Sequence, residues 1–157
     1  MNDVETLRNA VTAEYEDVRT VFQHLRADDL TNPTATGAPV WRLASEIALA
    51  PRADVHAAHR IAAGKRPEPW PSWTPIAAIT AWRRDRLFSR AARPDFLAAW
   101  EHSYNELFAC INDLAEDPLD GNTSTDPARA GAFEHLRAGV EQRRSKTRML
   151  RQALRMQ

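Results

Sequence analysis

Apolar residues recur every three or four positions along most of this chain, and the runs are separated by proline and glycine. Val4, Leu7, Val11, Val18, Val21, Phe22 and Leu25 make the first stripe, with the spacing that gathers side chains on one face of a helix. It predicts a helix from about Asp3 to Leu30, with acids crowding its start, where a helix dipole is positive. Thr31-Asn32-Pro33 stops it and Gly37-Ala38-Pro39 extends the break. Leu43, Ile47, Val55, Ala58 and Ile61 make a second stripe, which predicts a helix from near Trp41 to a C-cap at Gly64. Pro51 falls inside it. An internal proline costs about 3 kcal/mol in a straight helix, so a kink or break is expected near Ala48–Pro51.

The next tract alternates proline with other residues: Lys65-Arg66-Pro67-Glu68-Pro69-Trp70-Pro71-Ser72-Trp73-Thr74-Pro75. Such a run lacks the backbone donors of a helix or central strand, so it reads as an extended strap. Thr74 then serves as an N-cap with Pro75 in the first turn. Helix three holds Ile76, Ile79, Trp82 and Leu87, breaks at Arg93-Pro94, and restarts at Asp95. Phe96, Leu97, Trp100, Tyr104, Leu107, Phe108 and Ile111 continue it, with Trp82 and Trp100 at core spacing. Asp117-Pro118 through Asp126-Pro127 reads as a polar loop. The last helix carries Phe133, Leu136, Val140, Thr147, Leu150 and Leu154. There is no strand pattern, internal repeat or low-complexity tract. The expected fold is an all-α four-helix bundle, one domain over residues 1–157, with a Pro/Trp-rich strap between helices two and three.

Composition narrows the function classes. The chain has 157 residues, 43% hydrophobic and 27% charged, with a formal net charge of zero, so no bulk field draws it to nucleic acid or an anionic membrane. The last helix is rich in base (Arg137, Arg143, Arg144, Lys146, Arg148, Arg151, Arg155). Acids on the first helix (Glu5, Glu14, Glu16, Asp17) can face it, so nucleic-acid binding is not expected. Cys110 is the single cysteine and sits on an apolar face as a core residue, which fits a reducing compartment. The start, Met1-Asn2-Asp3-Val4-Glu5, shows no secretory pattern, and no stretch approaches the roughly 20 apolar residues of a membrane span. A cytoplasmic protein without membrane contact is expected.

His135 is the most informative candidate for chemistry. A second histidine one turn later would make half a metal site, but that position is Gly139. His56 and His59 lie three apart and can share a helix face, either as surface residues or as replacement ligands beside His135. His24 suits the negative end of the first helix. His102, close to Tyr104 and Glu106, is a pocket residue or a solvated one. Glu46, Asp54, Glu101, Glu134 and Glu141 are acids on helices that should line the bundle, and one buried near His135 could act as a general base. Trp41, Trp70 and Trp73 could roof a pocket at one end for a flat or apolar molecule, or simply cap the core. No Ser-His-Asp order, phosphate-binding glycine loop or paired-cysteine motif is present.

The order of these pieces resembles the DinB-like superfamily, which includes mycothiol-dependent maleylpyruvate isomerase-like proteins. The likeness covers nearly the whole chain. It rests on Asp28-Asp29-Leu30 ending the first helix, Trp41-Arg42-Leu43-Ala44-Ser45-Glu46-Ile47 opening the second, the Gly64-Lys65-Arg66-Pro67 exit and His135 on the last helix. The strap Pro69-Trp70-Pro71-Ser72-Trp73 is most similar to the ClbS/DfsB branch, which includes a metal-free hydrolase of a reactive cyclopropane. Metal-binding members place one histidine on helix two and two, one turn apart, on the last helix. Counted onto this chain, the first position falls at Leu49 or Glu46, and Gly139 replaces the second histidine of the last helix. The resemblance therefore implies a bundle without the metal shell and without a cofactor, holding a small-molecule ligand. The expected activity is hydrolysis or sequestration of a reactive molecule. His135 and Glu46 are the catalytic candidates, and Trp41, Trp70, Trp73, His56, His59, His102 and Tyr104 the substrate-binding ones. A metal- and thiol-dependent transferase or isomerase with ligands rearranged onto His56, His59 and His135 is the first alternative, and a non-catalytic dimerisation or interaction module the second. Relatives often dimerise, so the resemblance also suggests a homodimer.

Overall fold

In the computed structural model, the described residues are 3–67, 79, 95–115 and 126–155. They contain helices α1 (Asp3–His24), α2 (Val40–Ala62), α3 (Phe96–Ala115) and α4 (Pro127–Ala153), with a short 3-10 turn at Ala27–Asp29. No strand occurs among them. None of these helices is long and apolar enough to cross a membrane. The strap residues 68–75 and the first part of the expected third helix lie outside the described residues, apart from Ile79.

Local chemistry sets the helix ends. α1 stops at His24, short of the expected Leu30, because Arg26 turns extended at φ −103°. Its N–H donates to the Asp29 carboxylate at 3.1 Å, which seeds the 3-10 turn instead of another helical turn. His24 Nδ1 donates to the Thr20 carbonyl at 2.8 Å, which places the ring over the last turn, at the negative end of the helix. α2 ends as its sequence predicts. Gly64 takes φ +71°, its N–H reaches Ile61 O at 2.8 Å, and Lys65 N–H reaches Arg60 O at 2.8 Å. That is the paired bonding of a Schellman cap, which needs a left-handed residue. Asp95 caps α3 by accepting the Ala98 N–H at 2.9 Å. Asp126 caps α4 the same way through Ala128, with Pro127 in the first turn. The end of the expected polar loop is thus the start of α4.

The expected break at Ala48–Pro51 is absent: α2 runs unbroken across Pro51, which is buried. Burial of the ring within the bundle offsets the backbone bond that proline removes.

Cross-helix partners define the arrangement. Glu46 with Lys146, Asp54 with Arg143 and Ile61 beside Gly131 set α2 antiparallel to α4. Asp3 with Arg137, Glu14 with Arg143 and Asp17 with Arg151 set α1 parallel to α4. Arg8 with Asn112 and Tyr15 with Glu101 set α1 antiparallel to α3. α2 packs on α3 and α4, and α1 packs on α3 and α4, so α1 and α2 sit at opposite corners of the bundle.

The core has two apolar halves. One joins Val4, Leu7 and Val11 to Ala58, Leu107, Ile111, Phe133, Leu136 and Val140. The other joins Val18, Val21 and Phe22 to Val40, Leu43, Ile47, Phe96, Trp100 and Leu150. Between them along each helix lie Glu14, Asp54, Ser103, Arg143 and Thr147, all buried except the half-buried Asp54. The bundle therefore carries a polar layer at mid-height.

Candidate functional site: an ionic layer opening at His135

Arg143 is the centre of this layer. Its side chain is 2% exposed and that of Glu14 is 1% exposed, so neither charge reaches bulk water. Nε donates to Glu14 Oε1 at 2.5 Å and Nη2 to Oε2 at 2.9 Å, a bidentate pair joining α4 to α1. The remaining amino group, Nη1, donates to Asp54 Oδ2 on α2. One guanidinium thus ties three helices, and its fork geometry is what a lysine could not reproduce. Thr147 closes the layer on α4 by donating to the Arg143 carbonyl at 2.9 Å.

Gly139 makes the Asp54 contact possible. A Cβ at this position would sit 2.9 Å from Asp54 Cγ and 3.1 Å from Arg143 Nη1, and closer still to Asp54 Oδ2. Any side chain here displaces the carboxylate from the guanidinium. The residue one turn after His135, where a metal-binding bundle would place a second histidine, is the gap into which a carboxylate of α2 fits.

His135 lies at the edge of the layer. Its Nε2 is 3.8 Å from Asp54 Oδ1, with the imidazole side chain 33% exposed and the Asp54 side chain 17% exposed. Asp54 therefore presents one oxygen to the buried guanidinium and the other to a ring that meets solvent. Burial pushes the carboxyls of both Glu14 and Asp54 above their ordinary values, and this outweighs the opposing pull of Arg143 on each. Two carboxyls share one buried guanidinium, with Arg144 acting on Glu14 and Lys146 on Asp54 from outside the layer.

The other sequence candidates do not gather here. Glu46 is half-buried about two turns before Asp54 on α2 and accepts from Lys146 Nζ at 3.2 Å, so it does not face His135; the acid that does is Asp54. Trp41 packs against the other apolar half, at the opposite end of the core from His135. Tyr104 sits on the α1–α3 seam, where its ring lies 4.2 Å from that of Tyr15 and its hydroxyl 3.5 Å from Thr12 Oγ1. His102 is exposed and pairs with Glu106 at 3.4 Å. His56 and His59 are exposed on α2. Trp70 and Trp73 lie outside the described residues. Cavities of about 390 Å³ beside Phe22, Leu25, Leu30 and Phe96, and about 780 Å³ beside Pro33 and Leu154, open at the far end of the bundle. A third of about 440 Å³ lies over Glu14, Arg144 and Arg148 on the α1–α4 seam. None of these three includes His135.

Among the described residues, the donors at this site do not make up a metal shell. His135 and Asp54 supply two donors where a zinc or nickel shell needs three or more, and the Arg143 cation already occupies the second oxygen of Asp54. Among the described residues, no group of three or more His, Cys, Asp or Glu side chains is placed to hold a metal ion. Comparison with family models, with curated proteins and with solved structures returns no match. The described residues thus define a class by their own features: a helical bundle with a buried ionic layer that opens at one histidine.

Proposed function

We propose that this protein is a DinB-like bundle that takes a reactive small organic molecule at the Asp54–His135 pair and hydrolyses or sequesters it without a metal shell. The observation that carries this reading is the position of His135. It is more exposed than Asp54 beside it, and Asp54 is fixed by Arg143. Such an arrangement lets an imidazole accept a proton from water while a carboxylate stabilises the resulting positive charge. The separation of 3.8 Å is longer than a hydrogen bond, as is common in acid–base pairs before substrate arrives. The order of sequence features shared with the ClbS/DfsB branch supports the same choice of substrate class.

The test is turnover. The purified protein is incubated with a panel of epoxides, activated cyclopropanes and activated esters, and the loss of each is followed by mass spectrometry. Wild type is expected to consume at least one compound faster than buffer does, and His135→Ala is expected to abolish that excess. Loss that persists unchanged in His135→Ala sinks the assignment. A non-catalytic interaction bundle is the second reading, because the same ionic layer serves to hold three helices together. It expects no excess consumption by wild type at all.

A further inference from the structure

We propose that His135 is itself the nucleophile and captures small carbon electrophiles covalently through Nδ1. The inference deepens the reading above, since it uses the same pair but gives the imidazole a bond-forming role instead of a water-activating one. Three observations carry it. First, Nε2 is the ring nitrogen that faces Asp54 Oδ1. Placing the ring proton on Nε2 leaves the Nδ1 lone pair as the one not engaged with that carboxylate. Second, when Nδ1 forms a bond to carbon, the ring acquires a positive charge. The layer is arranged for that charge, because the Asp54 carboxyl, whose other oxygen Arg143 holds, faces the ring, and Glu14 shares the same guanidinium. A charge that develops beside fixed, poorly hydrated partners is stabilised more than one that develops in water. Third, Asp54 is held by Arg143, and Gly139 leaves it the room, so the carboxylate is already in place before reaction.

For an alkyl halide probe the step balances without a further reagent. The Nδ1 lone pair forms the N–C bond, the carbon–iodine bond breaks, and iodide leaves with the bonding pair. The ring remains as an imidazolium whose Nε2–H faces Asp54. Cys110 does not compete strongly, because burial pushes its thiol up to about 11 and only the thiolate is reactive.

The chain offers its own controls, since its five histidines are His24, His56, His59, His102 and His135. The first four are exposed and His135 is half-buried, so access alone predicts that His135 reacts slowest. Native wild type is treated with iodoacetamide at one fixed pH, and the rate of carbamidomethylation at each histidine is read by peptide mapping. The proposal expects His135 to react at least about tenfold faster than any of the others, with the five rates converging in denaturant. Asp54→Asn is expected to remove that advantage while leaving the His56 rate unchanged, and Glu14→Gln to reduce it. A His135 rate no greater than that of His56 overturns the proposal, as does an advantage that survives in folded Asp54→Asn. The two readings separate cleanly. Fast adduct formation without turnover of any electrophile retains the nucleophile and removes the hydrolase. Turnover without an adduct at His135 retains the hydrolase and makes the histidine a base on water.

Discussion

Two of the acid–base pairs that join α2 to α4, Glu46–Lys146 and Asp54–Arg143, differ in burial, and burial makes them different objects. Glu46 and Lys146 have side chains 32% and 39% exposed and meet at 3.2 Å. Asp54 and Arg143 are 17% and 2% exposed, and Arg143 also grips Glu14. The outer pair exchanges one hydrated state for another, so its net contribution is small. The inner group has lost most of its water, and each member depends on the others for compensation. The contrast shows why the inner pair is the candidate site: only desolvated charges can bias the chemistry of a neighbouring ring.

Breaking the inner group should have the largest effect. Arg143→Met removes the cation and leaves two buried carboxylates facing each other, with an expected loss of about 3–5 kcal/mol in urea unfolding. Adding Glu14→Gln to that variant should recover part of the loss, because one of the stranded charges disappears. An unchanged unfolding midpoint in Arg143→Met would show that the layer is hydrated in solution. Gly139→Ala comes next. Helix propensity favours alanine by about 1 kcal/mol, but overpacking against the Asp54 carboxyl costs about 1–3 kcal/mol, so a net loss is expected. Gly131→Ala is the matched control. Its Cβ meets only the Ile61 Cγ2 methyl, at 3.3 Å, and a small shift of that methyl against the propensity gain should leave it close to neutral.

The layer also carries a pH signature. Burial raises the Glu14 and Asp54 carboxyls above their ordinary 4.5 and 3.8. In the interval above those values the folded state still holds a proton that the unfolded chain has released. Each acid therefore contributes most to stability below its ordinary value, and the contribution is lost as pH rises through the raised value. The slope is at most about 1.4 kcal/mol per pH unit for each group. Asp54→Asn cannot titrate, so its stability relative to wild type should improve as pH rises from about 4 towards neutrality. Paired urea titrations across that range provide the check, and a difference that stays flat with pH contradicts it.

Much of this arrangement is readable in the sequence, though not by counting apolar residues. The stripe Val4, Leu7, Val11, Val18, Val21 and Leu25 has a vacancy, and Glu14 fills it at the right spacing. Phe133, Leu136, Val140, Thr147 and Leu150 likewise leave a place that Arg143 takes. An acid and a base on core positions of two helices are the visible trace of the layer. Counting towards an expected ligand position leads to Glu46. The spacing from Ile47 through Pro51 to Ala58 points to Asp54 instead. The C-cap at Gly64 and the helix restart at Asp95 were legible because each depends on one residue and its immediate neighbours. The passage of α2 through Pro51 was not, because it depends on what the ring packs against in the folded bundle.

The outer pair should give the smallest response, and that silence is informative. Glu46→Ala or Lys146→Ala is expected to change stability by less than about 1 kcal/mol, with the difference shrinking further in high salt. Glu46 lies eight residues before Asp54 on α2, about 12 Å along the axis at 1.5 Å per residue. That exceeds the screening length of about 8 Å at physiological salt, and water reaches both side chains of the outer pair. Glu46→Ala should therefore leave the His135 alkylation rate where it stands in wild type, whereas Asp54→Asn lowers it. If the two variants lowered the rate equally, the field at His135 would come from the whole α2–α4 seam and not from the buried layer, and burial would lose its place as the distinction between the two pairs.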